Sequence, residues 1–140
     1  MSIAGSLGTD KVRIFSFYPP AYKHQDSYIK KSVTLLKAMT EIARNHSITL
    51  LMENEKGLIG DTPERCSEIL NRVGSENLKF VWDTGNFPYS GVRNSVDIGW
   101  PMLSEHVNCV QIKDVRLSDR KIMVAGDGDG QVFKLLERLR

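Results

Sequence analysis

Hydrophobic positions along the chain form two alternating patterns: short apolar runs and longer stretches with helical spacing. The short runs predict four strands, at residues 11–17, 48–53, 78–83 and 108–113. Helical spacing follows each strand and predicts helices at residues 26–45, from 61–64 to Gly74, at 95–106 and at 131–140. We expect three of these helices to bury the following residues: Ile29, Val33, Leu36 and Ala43; Cys66, Ile69, Leu70 and Val73; Val132, Leu135, Leu136 and Leu139.

The third helix is the weakest of the four. Gly99 and Pro101 lie inside its pattern, and proline cannot donate the backbone hydrogen bond that a helix interior requires. We therefore expect the regular part of this helix to begin near Trp100.

Alternating strands and helices predict an α/β fold with a parallel sheet and right-handed crossovers. The chain of 140 residues has room for four strand–helix repeats in one domain, residues 1–140. A closed (β/α)8 TIM barrel needs roughly 250 residues. Two architectures remain open at this point: an open doubly wound sheet, or half of a barrel.

Composition changes this picture little. Apolar residues make up 41% of the chain and charged residues 26%, and the formal net charge is +2. This weak charge gives no reason to expect nucleic acid or a membrane as partner. Cys66 and Cys109 have no CxxC spacing and are typical of thiols in a reducing cytosol, although a disulfide stays open. With no apolar run long enough for a membrane span or a signal peptide, we expect a cytoplasmic protein.

Candidate chemistry lies where the predicted strands end. Ligands bind at the carboxyl ends of parallel strands, and those ends here carry Glu53, Asp83, Gln111 and Lys113. Because side chains alternate along a strand, these four residues are able to point to one face and converge. Oxygen-rich clusters of this kind suit hard cations such as Mg2+ or Mn2+.

Each of these signals also has a simpler explanation. A carboxylate at a strand end often only caps a helix or forms a surface ion pair. Repetition of the pattern on three neighbouring strands favours a shared site over that explanation. The glycine-rich segment 126–130 resembles a phosphate-binding loop, but such turns before helices are common. An unrelated open α/β fold with a phosphate loop is therefore one alternative.

Four segments together resemble a known family. LMENEKG, VWDTGN, VQIKD and AGDGDG occur in this order, and the opening AGSLGTDKVRIF is similar to the stretch before that family's fourth strand. The family is the xylose-isomerase-like barrel superfamily of sugar isomerases, epimerases and dehydratases. The resemblance covers nearly the whole chain and implies strands four to seven of a TIM barrel.

The resemblance also implies roles for individual residues. Glu53 would be both a metal ligand and the general acid/base, and Asp83 a second ligand. Gln111 stands where the family normally has a metal-binding histidine, which implies a weakly held divalent ion (Mn2+, Mg2+, Zn2+ or Co2+). Asn54, Asn86 and Lys113 would contact the substrate.

The implied function is a sugar, sugar-phosphate or polyol isomerase or epimerase that is incomplete in this chain, because the family's last metal-binding glutamate lies on an eighth strand. A non-catalytic sugar- or polyol-binding remnant is the second hypothesis. The superfamily's DNA-repair branch fits poorly, because none of the three histidines falls at a motif position. Open sheet edges of a half-barrel also predict self-association.

Overall fold

A parallel sheet of four strands forms the centre of the molecule. The computed structural model describes residues 3–21 and 23–140. The strands are β1 (Lys11–Phe15), β2 (Thr49–Glu53), β3 (Leu78–Asp83) and β4 (Val107–Gln111), and they lie side by side in chain order. All three pairings are parallel, which confirms the predicted α/β class.

Helices lie before, between and after the strands and cover one face of the sheet. They are α1 (Ile3–Ser6), α2 (Ile29–Asn45), α3 (Pro63–Val73), α4 (Asn86–Tyr89), α5 (Ser95–Leu103) and α6 (Val132–Arg138). Short 3-10 turns at Gln25–Tyr28 and Ser104–His106 flank α2 and α5. No helix within residues 3–21 and 23–140 has the length and apolarity to cross a membrane.

The ends of α3 follow from its sequence. The Thr62 hydroxyl accepts a hydrogen bond from the Arg65 backbone N–H, and Pro63 occupies the first turn, where no hydrogen bond is lost. Gly74 ends the helix in the left-handed conformation, with a φ of 60° that glycine adopts without strain.

The structure corrects the expected start of α5. This helix is regular from Ser95, so the prediction that order begins near Trp100 is wrong. Gly99 lets the helix approach the sheet closely: a Cβ there would lie 2.9 Å from the Trp82 ring and 3.1 Å from Pro63. Packing against the sheet outweighs the weak local helix signal in this segment.

The loop predicted after β4 contains a small hairpin. Its strands, β5 (Asp114–Arg116) and β6 (Lys121–Met123), pair antiparallel and form a separate two-stranded sheet. Each strand has only three residues, and the buried positions of β5, Asp114 and Val115, are adjacent rather than alternating. Neither strand therefore leaves a periodic hydrophobic signal, which is why sequence reasoning missed them.

The core fills the space between the sheet and the helices. Large buried residues there include Met52, Phe80 and Trp82 from the strands, and Leu36, Ile69 and Leu103 from the helices. All the residues expected to be buried on α2 and α3 are buried. In the predicted last helix, only Val132 and Leu135 are buried. Leu136 on α6 and Leu139 just after it are 40% and 45% exposed, so their predicted inward position is wrong. The described chain offers them no neighbouring layer to pack against.

Candidate functional site

Strand register brings the predicted site residues to the sheet face that the helices leave uncovered. Glu53 pairs with Val81, and Asp83 pairs with Gln111. Residues in register on neighbouring parallel strands point to the same side, and residues two apart on one strand do so as well. Glu53, Asp83 and Gln111 therefore share one face.

Asp83 is the most enclosed carboxylate of this group. Its side chain is fully buried, and Oδ1 accepts hydrogen bonds of 2.8 Å from the backbone N–H groups of Gly85 and Asn86. Oδ2 is also buried but accepts no hydrogen bond. The Lys113 ammonium lies 3.4 Å from Oδ2, an ion-pair distance without hydrogen-bond geometry. Asp83 Oδ2 thus accepts no hydrogen bond and has lone pairs available for a cation.

Asn86 connects the two acidic strand ends. Its Nδ2 donates to the Asn54 carbonyl at 2.8 Å and lies 3.4 Å from Glu53 Oε1 and 3.3 Å from Glu55 Oε2. Its Oδ1 accepts a hydrogen bond of 2.7 Å from Lys113 Nζ. The amide therefore holds Lys113 beside Asp83 and links it to Glu53 through its own Nδ2.

Asn54 fastens β2 to β3. Its buried side chain accepts a 2.8 Å hydrogen bond from the Asp83 N–H and donates one of 3.0 Å to the Asp83 carbonyl. These bonds position Asp83 at the end of its strand. A contact between Asn54 and substrate stays a prediction, since both atoms of its amide already have backbone partners.

Glu53 is 2% exposed and bonded to Arg13, whose Nη1 lies 2.8 Å from Glu53 Oε2. Burial raises the pKa of Glu53, with smaller upward contributions from the charges of Asp83 and Glu55; the Arg13 guanidinium opposes them. Sequence reasoning missed Arg13. Alternation was the available signal, because Arg13 lies two residues before the end of β1 and so faces the same side as Phe15, which pairs with Glu53.

Changing Arg13 to glutamine should raise the pKa of Glu53 further, because the remaining influences on it all favour the neutral acid. The measurement is a 13C NMR titration of the glutamate side chains in both proteins. A fall in the Glu53 pKa would contradict the assignment of Arg13 as the group that lowers it. Arg72→Gln, at an exposed pair with Glu68 on α3, is the control and should leave Glu53 unchanged.

The donor set on this face fits a divalent ion only in part. Within the described ranges, no three His, Cys, Asp or Glu side chains are grouped to hold a metal. Glu53 and Asp83 offer carboxylate oxygens, of which Asp83 Oδ2 accepts no hydrogen bond. Exposed Gln111 offers an amide oxygen. Arg13 and Lys113 already pair with the two carboxylates. Such a set suits a hard cation that is held weakly.

Backbone N–H groups of the glycine-rich segment 126–130 donate hydrogen bonds to the Asp114 carboxylate. Asp114 is buried, and its Oδ2 accepts hydrogen bonds from the N–H groups of Gly126 (2.8 Å) and Gly128 (3.0 Å). Its Oδ1 accepts from Val115 (2.9 Å) and Gly130 (2.8 Å). The backbone groups that a phosphate would need are thus bound to a carboxylate, which accounts for the phosphate-loop appearance of the sequence.

A comparison with protein families identifies one over the whole chain: the sequence model of the xylose isomerase-like TIM barrel matches residues 1–140. Among curated proteins, the uncharacterized protein MJ1311 of Methanocaldococcus jannaschii is 26% identical over 120 residues, 80% of this chain and 39% of that protein.

Solved structures share the fold. The probable 3-DHS dehydratase AsbF of Bacillus anthracis matches with a TM-score of 0.77 and 19% identity, over 98% of this chain and 56% of that one. A D-tagatose 3-epimerase-like protein matches with a TM-score of 0.75 and 23% identity, over 97% and 53%. The IOLI protein, solved with a zinc atom, gives a TM-score of 0.77 and 21% identity, over 97% and 51%. This chain therefore spans about half the length of these solved structures, and less of MJ1311.

Proposed function

Because this chain belongs to the xylose isomerase-like TIM barrel family, we propose that it is part of a metal-dependent sugar or polyol isomerase or epimerase. One observation carries the proposal: two buried carboxylates, Glu53 and Asp83, meet on the uncovered sheet face and are joined there by Asn86 and Lys113. Burying two such acids together costs free energy, and a functional site is the usual reason to keep them.

Proton transfer would be the task of Glu53. The pKa of Glu53 is raised toward neutral pH, and a group whose pKa lies nearer the working pH both accepts and releases a proton more readily. Arg13 fixes the orientation of the carboxylate through Oε2. Glu53 would remove a proton from the carbon beside the substrate carbonyl. Return of that proton to the neighbouring carbon would give an isomer, and delivery of a proton to the original carbon from the opposite face, by a second acid, would give an epimer.

Asp83, Glu53 and Gln111 are the residues that would hold the divalent ion, with Asp83 Oδ2 as the free oxygen. When bound, the ion would polarise substrate oxygens and stabilise the negative charge that develops on them. Zinc in the similar IOLI structure supports a divalent metal in this fold. Lys113 and Asn86 would orient substrate hydroxyls, because Lys113 lies beside Asp83 and Asn86 lies beside Glu53.

Measuring how Mn2+ binding depends on Glu53 and Asp83 tests the proposal. We expect calorimetry to detect binding to the unaltered chain, and Asp83→Asn and Glu53→Gln to weaken it by about tenfold or more, because each removes a charged ligand. Glu76→Gln, at a residue whose side chain is 96% exposed, is the control and should bind as the unaltered chain does. Equal binding by all four proteins, or none by any, would refute the site.

A non-catalytic sugar- or polyol-binding role is the second candidate, favoured by glutamine at position 111. We expect the chain alone not to turn over substrate, since it spans only half of its relatives.

Self-association is also a prediction, supported by the outer edges of β1 and β4, which have no strand partner among the described residues. A cytoplasmic location stays a prediction.

A further inference from the structure

A small cavity opens beside the candidate site, at the same end of the sheet. Its volume is about 240 Å3, and its lining includes Asn86 and Lys113 together with Tyr89 and Arg120. Asn86 and Lys113 also contact the two buried carboxylates. A molecule in this cavity would therefore lie next to Glu53 and Asp83. The volume is sufficient for a small anionic group and a few carbons.

Arg120 brings an unpaired positive charge to the cavity. It stands in the turn between β5 and β6, and two other cations flank that turn: Arg116 at the end of β5 and Lys121 at the start of β6. Asp119 pairs with both of those: Arg116 donates to its carboxylate through Nε and Nη2, each at 3.0 Å, and Lys121 lies 3.9 Å away. Within residues 3–21 and 23–140, the Arg120 guanidinium forms no ion pair.

The backbone holds Arg120 in an unusual conformation. Its φ is 59°, in the left-handed region where glycine or asparagine is ordinary and a long side chain is uncommon. The Arg120 N–H donates a 2.8 Å hydrogen bond to the Arg116 carbonyl, which closes the turn. The turn thus places a guanidinium at the cavity where its own geometry would favour a smaller residue.

Other groups at the cavity leave it with a positive rim. Glu55 is its acidic neighbour, and the oxygens of that carboxylate accept from the Lys56 N–H at 2.9 Å and contact Asn86 at 3.3 Å. The Lys56 ammonium lies 4.2 Å from the centre of the Tyr89 ring. Lys113 adds a second cation on the wall nearer the carboxylates.

From this arrangement we propose that Arg120 binds an anionic group of the substrate, a carboxylate or a phosphate, while the sugar carbons extend toward Glu53. The proposal rests on the proposed function and adds a specificity-determining residue to it: Arg120 would select sugar acids or sugar phosphates over neutral sugars. A guanidinium recognises both anions through paired N–H donors, and Arg120 has these donors free of ion pairs.

Binding of D-ribose 5-phosphate, D-gluconate and neutral D-ribose to the metal-free chain tests this proposal. Ligand-observed NMR should show at least one anionic sugar binding about tenfold or more tightly than D-ribose. That preference should disappear in Arg120→Gln. The stronger of the two anionic ligands tells phosphate from carboxylate. Arg116→Gln, which removes a charge from the same hairpin outside the cavity lining, is the matched control and should keep the preference.

Two results would overturn the proposal: equal binding of all three sugars, including no binding of any, or a preference that survives Arg120→Gln. Asp83→Asn separates this inference from the proposed metal site. Loss of Mn2+ binding with the anion preference retained would support both. Unchanged Mn2+ binding with the preference lost only in Arg120→Gln would refute the metal site and support the anion subsite.

Discussion

Replacing Asp114 with asparagine should destabilise the chain by about 3–5 kcal/mol, because hydrogen bonds to a buried carboxylate contribute roughly 1.5–3 kcal/mol each and unsatisfied donors add a penalty. Asparagine has nearly the same size, so the change leaves no cavity. Its NH2 group, however, would face two of the four backbone N–H groups that the carboxylate now binds. Urea denaturation followed by circular dichroism measures the loss.

Asp127→Asn is the matched control for this change. Asp127 lies in the same glycine-rich segment, but its side chain is exposed, so we expect a change within about 0.5 kcal/mol. If both variants lose the same stability, the carboxylate of Asp114 is not what organises the loop. The glycines support the assignment: a Cβ at Gly130 would lie 2.6 Å from the Thr84 carbonyl and 2.7 Å from Asp114 Oδ1.

Changing Gln111 to histidine should raise the affinity for Zn2+ by about tenfold or more, because imidazole is a far better ligand for this metal than a neutral amide. Gln111 pairs with Asp83 in register and faces the same side, so the new ring would have a carboxylate on the neighbouring strand. Calorimetry with Zn2+ on both proteins measures the gain.

Asn108→His is the control on the same strand. Asn108 falls at the register shift of β4 and has no partner on β3, so a histidine there lies away from Asp83. Equal affinities for both variants would show that Gln111 does not belong to the metal site. A gain only at position 111 would place this residue at the metal site and favour descent from an enzyme in which glutamine replaced a histidine.

Much of the fold follows from the sequence because local signals and packing agree there. β3 was predicted with its observed bounds, and α3 starts at its threonine cap and ends at Gly74. The start of α5 was wrong because the contact of Gly99 with Trp82 is non-local. The hairpin at 114–123 was missed because strands of three residues have little hydrophobic periodicity.

The candidate site shows the same division. Alternation along each strand predicts that Glu53, Asp83 and Gln111 share a face, and the register agrees. Sequence reasoning missed both Arg13 as the partner of Glu53 and Arg120 at the neighbouring cavity; alternation gave the face of Arg13 but not its partner. Both contacts join residues that are distant in the chain or depend on the path of an irregular turn.

The sequence by itself determined the class of fold, the order of its repeats and the family, because these depend on local periodicity and on short motifs at strand ends. Only the tertiary structure decided which charges meet. In the folded chain, Arg13 forms an ion pair with Glu53, and Asn86 links Asp83 to Lys113. The glycine-rich segment folds around Asp114. Pairings of this kind depend on distances of a few ångströms between separate segments, and such distances are fixed only when the sheet assembles.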